Sequence, residues 1–256
     1  MSRRAIESSY ISRMRAIPEY KVRVDFSKSC NKPDELNKLI KKGCTLLERG
    51  SPNMAPLLKS IRHILLLDVH ELNSFVSEFI KAHMPAYNKT QKRGGSVHAV
   101  FYPKPGFLSI YGVTQIQTRI KNSLKTINKV RRKVLLDKEG RRAVMERQDP
   151  SYSVDEKKRE IIYYFTDLSG IRVVFNHPEG PEKMLSWMEA HQDMTVLSYD
   201  RVYNTHTGYT SIHAEVEWKS KVREVQLTMK RVYEKSLMDG YHRLKDQDLE
   251  KYFAIQ

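Results

Sequence analysis

Two runs, Tyr209–Trp218 and Lys221–Leu227, are separated only by Lys219-Ser220. Their spacing predicts a β-hairpin and therefore a sheet around it. Side chains alternate along a strand, so Tyr209, Ser211 and His213 share one face and Glu224 and Gln226 share one face of the partner. Val222, Val225 and Leu227 are left to fill the core side. The polar side carries a ring, a hydroxyl, an imidazole, a carboxylate and an amide. A core face would be apolar here, so this side reads as a site.

The rest of the chain sorts into two regions. Leu36, Leu39, Ile40, Leu46 and Leu47 predict a helix that Asp34 can cap and Gly50 stops. A second helix is predicted from near Pro52 through Leu67. A third runs over Glu71–His83, with Leu72, Phe75, Val76, Phe79 and Ile80 on one face. Residues 1–30 show little periodicity, and 86–96 read as a linker hinged at Gly94-Gly95. Beyond it, strands are predicted at Val97–Tyr102, Phe107–Gly112, Ile171–Phe175 and Thr195–Tyr199. Helices are predicted at Thr114–Leu136, Glu156–Phe165, Pro181–Gln192 and Tyr233–Leu244, and Lys138–Ser153 reads as a polar loop. The division is thus a helical region over 1–95 and an α/β or α+β domain over 96–256.

Charge narrows the function. The 256 residues carry a formal +15, and the fifteen Lys/Arg and three acids between Lys89 and Arg147 account for +12 of it. Concentrated positive charge points to a phosphate-rich partner, a nucleotide or a nucleic acid. An anionic membrane surface fits less well, because this segment lacks an apolar face rich in Trp, Phe or Leu. No run of about 18 uncharged apolar residues is present to span a bilayer. The two cysteines, Cys30 and Cys44, make no disulfide framework, which fits a reduced, cytoplasmic protein.

Three elements carry chemistry. Lys121, Lys125 and Lys129 recur at every fourth position, with Arg119 close by. On a helix they form a cationic row that can follow a triphosphate or an RNA backbone, or simply a solvated face. In Asp167-Leu168-Ser169-Gly170-Ile171-Arg172, an acid and a small-residue turn lead into a buried strand. A carboxylate there suits Mg²⁺ and phosphoryl chemistry, or a plain turn cap. The third element is the hairpin.

In this order, the R-x-K segment, D-L-x-G-I-R, G-Y-x-S-x-H and E-V-Q resemble the synthetase domain of RelA/SpoT-type alarmone synthetases over residues 107–245. The resemblance implies a nucleotidyltransferase-like fold, a mixed β-sheet flanked by helices. It implies an ATP-dependent pyrophosphokinase that moves the β,γ-pyrophosphate of ATP to a 3′-hydroxyl with Mg²⁺. Arg119, Lys121, Lys125 and Lys129 become ATP contacts, although Lys125 stands where the family has a serine. Asp167 becomes a magnesium ligand, and Glu224 a metal ligand or the base that activates the hydroxyl. Tyr209, which would stack on the acceptor base, His213 and Gln226 become acceptor contacts.

The departures bear on the acceptor. Thr205 and Thr207, with His206 between them, replace the family's lysine and asparagine, and Thr228 replaces an arginine. Fewer polar and cationic contacts weaken the case for GDP or GTP. A toxic branch of the family modifies the CCA end of tRNA, and a +12 segment suits RNA, so the expectation leans toward tRNA. The alternative is a non-catalytic RNA-binding module, against which stand both Asp167 and Glu224. A protein regulator or antitoxin is the further partner expected.

Overall fold

The computed structural model describes residues 21–51, 53–91, 97–107, 109–135, 152–155, 157–204 and 209–238. In chain order the elements are β1 (Lys21–Asp25), α1 (Pro33–Glu48), α2 (Ala55–Leu67), α3 (Val69–His83), β2 (Tyr87–Gln91), β3 (Val97–Pro103), β4 (Val113–Ile120), α4 (Ser123–Leu135), β5 (Tyr152–Asp155), β6 (Glu160–Tyr164), β7 (Ser169–Phe175), α5 (Gly180–Ala190), β8 (Thr195–Asn204), β9 (Tyr209–Trp218), β10 (Lys221–Met229) and α6 (Lys230–Met238). They form a mixed α+β structure with two compact units. One joins residues 1–67 to 122–166, and the other joins 68–121 to 167–256.

In the first unit β1, β6 and β5 form a three-stranded sheet, with β1 parallel to β6 and β5 antiparallel to it. Helix α1 begins with Pro33 in its first turn, where a missing N–H costs nothing, and Asp34 and Glu35 there favour the helix dipole. Gly43 lets α1 approach α4, since a Cβ there would stand 2.6 Å from Ile127 Cδ1. Ser123 at the start of α4 donates its hydroxyl to the Leu58 carbonyl at 3.0 Å, tying α4 to α2.

The second unit is built on a seven-stranded sheet in the order β2-β3-β4-β7-β10-β9-β8. Strands β7 and β10 are parallel and the other pairs antiparallel. The predicted hairpin is β9–β10. Its two-residue turn, Lys219-Ser220, has positive φ at both positions (50° and 63°), as the twist of a tight hairpin requires. One face of the sheet is apolar, with Ile116, Ile171, Val173, Ile212, Ala214, Val216, Val225 and Leu227 buried on it. Phe75 of α3 packs on Trp218 with centroids 5.6 Å apart, and Phe79 meets Trp187 of α5 edge-on at 5.4 Å. Each such buried ring contributes roughly 2–3 kcal/mol.

Several expected elements fall differently. Thr114–Leu136 is not one helix: Val113–Ile120 is a central strand, and the helix begins only at Ser123. The Phe107–Gly112 strand is replaced by a single 3₁₀ turn at Ile110–Gly112. Glu156–Phe165 is not helical, because its Ile161 and Tyr163 pack inward at period two as β6. Strands β1 and β2 occupy stretches read as featureless or as linker. The closing helix begins at Lys230 rather than Tyr233, and its part beyond Met238 lies outside the described residues, as does most of Lys138–Ser153.

His83, at the end of α3, is 2% exposed, and neither ring nitrogen has a hydrogen-bond partner among the described residues. Its ring lies edge-on to Trp187 at 4.6 Å and against Tyr111 at 5.4 Å. Burial pushes its pKa down to about 4. The unfolded chain therefore takes up the proton first as pH falls, and stability drops between about pH 6.5 and 4. At pH 5 this group alone accounts for a loss of about 2 kcal/mol relative to pH 7.5. Urea unfolding at both pH values checks this: His83→Leu is expected to remove that part of the pH dependence, and an unchanged slope would contradict it.

Candidate active face of the large sheet

The opposite face of the seven-stranded sheet carries the polar side chains, beside buried Val100, Val174 and Val222; Val222 shares the face of Glu224 and is not on the core side expected for it. Residues paired directly across a ladder share a face, so the register sets out its rows. One row runs Arg119, Gly170, Glu224, Glu215, across β4, β7, β10 and β9. The next runs Gln117, Arg172, Gln226, His213, Asp200, reaching β8. The cations thus lie on β4 and β7, and the carboxylates on β10, β9 and β8.

Gly170 fixes the closest approach in this row. A Cβ at residue 170 would stand 2.0 Å from the backbone carbonyl oxygen of Glu224 and 2.8 Å from its carbon. Only glycine lets β7 come this near β10, and that approach places Glu224 beside Arg119. Arg119 Nη1 lies 3.6 Å from Glu224 Oε2, and His213 Nδ1 lies 3.7 Å from Glu224 Oε1.

A second pair sits where β4 ends and β7 begins. The Lys121 amide donates to the Leu168 carbonyl at 2.8 Å, carrying the pairing one residue past β4. The Lys121 ammonium thereby reaches Asp167 Oδ2 and bonds to it. Both side chains are about one-fifth exposed, so the pair is sheltered yet reachable from solvent.

His213 is held below its ordinary pKa. Burial is the main cause, with Arg119 and Arg172 adding to it and Glu224 and Asp200 opposing it. It is neutral near pH 7, so one ring nitrogen can accept a hydrogen bond while the other donates.

Of the residues singled out from sequence, this face brings together Arg119, Lys121, Asp167, His213, Glu224 and Gln226. Tyr209 opens β9 opposite Asn204, and its side chain lies outside the described residues, as do Thr205, His206, Thr207 and Gly208. The cationic row of one helix is corrected. Arg119 is on a strand and Lys121 precedes the helix, while Lys125 and Lys129 lie on α4 in the other unit. There Lys125 is exposed, and Lys129 sits over the Phe165 ring with its Nζ 4.9 Å from the centroid. Sequence reasoning assigned no role to Gln117, Arg172, Asp200, Glu215 or Tyr233. The one signal was Arg172 itself, a cation inside an apolar strand.

Asp167 and Glu224 are hard oxygen donors of the kind Mg²⁺ takes. Mg²⁺ is commonly held by one or two carboxylates with phosphate oxygens completing its shell. Among the described residues no group of three or more metal-ligating side chains stands together.

No family model and no curated protein matches the sequence. Solved structures do overlap it in part. The small alarmone synthetase 2 from Bacillus subtilis is 14% identical with a TM-score of 0.36, the match covering 54% of this chain and 66% of that one. The small alarmone synthetase 1 from the same organism, bound to its product pppGpp, is 16% identical with a TM-score of 0.37, over 53% and 64%. A GTP pyrophosphokinase family protein from Streptococcus pneumoniae is 18% identical with a TM-score of 0.33, over 56% and 68%. The match thus spans about two thirds of each of these structures. Among the described residues no helix is long and apolar enough to cross a membrane.

Proposed function

We propose that the polar face is the active site of an ATP-dependent pyrophosphokinase that transfers the β,γ-pyrophosphate of ATP to a 3′-hydroxyl. The supporting observation is the pairing of each acid with a cation at one end of this face, Lys121 with Asp167 and Arg119 with Glu224. Phosphoryl transfer is governed by positioning and charge neutralisation, and such a site needs both signs at close quarters. The same four residues occupy the positions that the motif order assigns to donor, metal and base.

In this reading Arg119 and Lys121 leave their carboxylates for the phosphates of ATP, and Asp167 and Glu224 are freed to hold Mg²⁺. Bound there, Mg²⁺ supplies charge neutralisation on the phosphate oxygens. Glu224 takes the proton from the acceptor 3′-hydroxyl. The bond from that oxygen to the β-phosphorus forms as the bond from the β-phosphorus to the α–β bridging oxygen breaks, and AMP leaves with the bridging oxygen. Neutral His213 and Gln226 orient the acceptor, and Tyr209 stacks on its base, worth roughly 1–3 kcal/mol. All of these residues lie within 96–256, the stretch that carries the catalysis in this reading.

The acceptor favoured is the tRNA CCA end, with GDP or GTP as the second reading. Two observations support RNA: the +12 carried by residues 89–147, and the threonines where the family has a lysine, an asparagine and an arginine. If RNA docks on that segment, tRNA affinity is expected to fall about a hundredfold or more between 50 and 200 mM salt. A salt-insensitive or absent interaction returns the preference to a free nucleotide. The transfer itself is tested by the nucleotide released: AMP in the presence of acceptor supports it, and ADP contradicts it.

A further inference from the structure

Arg172 is 6% exposed, on the central strand of the sheet. A buried guanidinium is costly unless its donors are met, and the usual partner is a carboxylate. Among the described residues no carboxylate pairs with it. Its acceptors are neutral: Nε and Nη2 donate to Gln226 Oε1 at 3.1 and 2.9 Å, and Nη1 points to Gln117 Oε1 at 3.5 Å. Tyr233 of α6 lies over it, the guanidinium carbon 4.9 Å from the ring centroid. The Tyr233 hydroxyl accepts the Gln117 amide N–H at 2.9 Å, which fixes the amide with its oxygen toward Arg172. Neutral acceptors satisfy hydrogen bonds without cancelling charge. The cradle therefore keeps Arg172 positive on the face where Arg119 and Lys121 also stand.

We propose that Gln117 and Tyr233 are positioning residues, which hold the Arg172 guanidinium fixed and un-neutralised where the anionic part of the nucleotide enters the polar face. This rests on the nucleotide reading above. Tyr233 acts through Arg172, by its ring and by the amide it orients, and touches no reacting atom.

The test is calorimetric binding of a non-hydrolysable ATP analogue with Mg²⁺, alongside steady-state transfer with ATP varied. Tyr233→Leu is expected to weaken analogue binding and raise KM for ATP about tenfold, with kcat changed less than twofold. Tyr233→Phe keeps the ring and is expected to restore most of the affinity. On an Arg172→Met background, Tyr233→Leu is expected to add less than twofold. If Tyr233→Leu does not fold, Gln117→Leu is read for the same loss of affinity. Affinity within twofold of wild type in the folded variant, or losses that multiply in the double variant, would overturn the positioning role. Absence of analogue binding by the wild-type protein would overturn the nucleotide reading and this inference with it.

Discussion

Glu224→Gln and Asp167→Asn are each expected to lower pyrophosphate transfer by about a thousandfold or more while leaving the fold intact. Each change keeps the side chain's size and removes the negative charge. Glu224 is the only carboxylate on the polar face, among the described residues, with contacts to both Arg119 and His213. In the proposed mechanism, losing its charge removes a metal donor and the proton acceptor together. Asp167→Asn removes the second proposed donor and breaks the ion pair with Lys121. The stability cost is small by comparison, about 1–2 kcal/mol for each half-buried pair, since the remaining cation can still reach water. Transfer rates measured beside thermal unfolding separate the two effects. A variant that folds and retains a tenth of wild-type activity would remove its residue from the catalytic assignment.

Gly170→Ala is expected to be nearly as damaging to activity, by a different route. The added methyl meets backbone atoms of β10, 2.0 Å from the Glu224 carbonyl oxygen, and two paired central strands cannot part without losing ladder bonds. Overpacking of this kind costs about 3 kcal/mol or more. Displacement of β10 also carries Glu224 away from Arg119. Gly43→Ala is the matched control, because its methyl would meet side-chain atoms and not backbone: Ile127 Cδ1 at 2.6 Å, Ile127 Cγ1 at 3.0 Å and Leu57 Cδ2 at 3.3 Å. The measurements are urea unfolding of both variants and transfer by Gly170→Ala. Full activity in Gly170→Ala would show that the close approach of the two strands does not set the site.

How much of this was legible follows from the range of the signals. The hairpin was readable because period two, a two-residue turn and a polar–apolar split all agree locally. Helix α3 was readable from Leu72, Phe75, Val76, Phe79 and Ile80, all of which are buried. Strand β4 was misread because Ile116, Ile120 and Leu124 recur at four-residue spacing as well as at even spacing, so helix and strand templates both fit. Its true partners, β3 and β7, enter only through tertiary pairing. Strand β6 was masked by the charged run before it, and β1 exists because it lies parallel to a strand some 140 residues later in the chain.

The site divides in the same way. Asp167, Glu224, Arg119 and Lys121 stand out in ordered motifs, which are local in sequence. The cradle of Arg172 does not, because its bond partners stand 54 and 55 residues away and Gln117 meets Tyr233 across 116. No local pattern encodes such a contact. The charge separation of the polar face likewise emerges only when five strands are set in register.

The most direct measurement offers purified protein γ-³²P-labelled ATP and Mg²⁺ with GDP, GTP, ATP and bulk tRNA in parallel. Labelled acceptor together with an equal amount of AMP is expected, with tRNA as the labelled species. Label in GDP or GTP would keep the chemistry and correct the acceptor. No labelled acceptor and no AMP from folded protein, across all four, would contradict the assignment of the polar face as a pyrophosphokinase site.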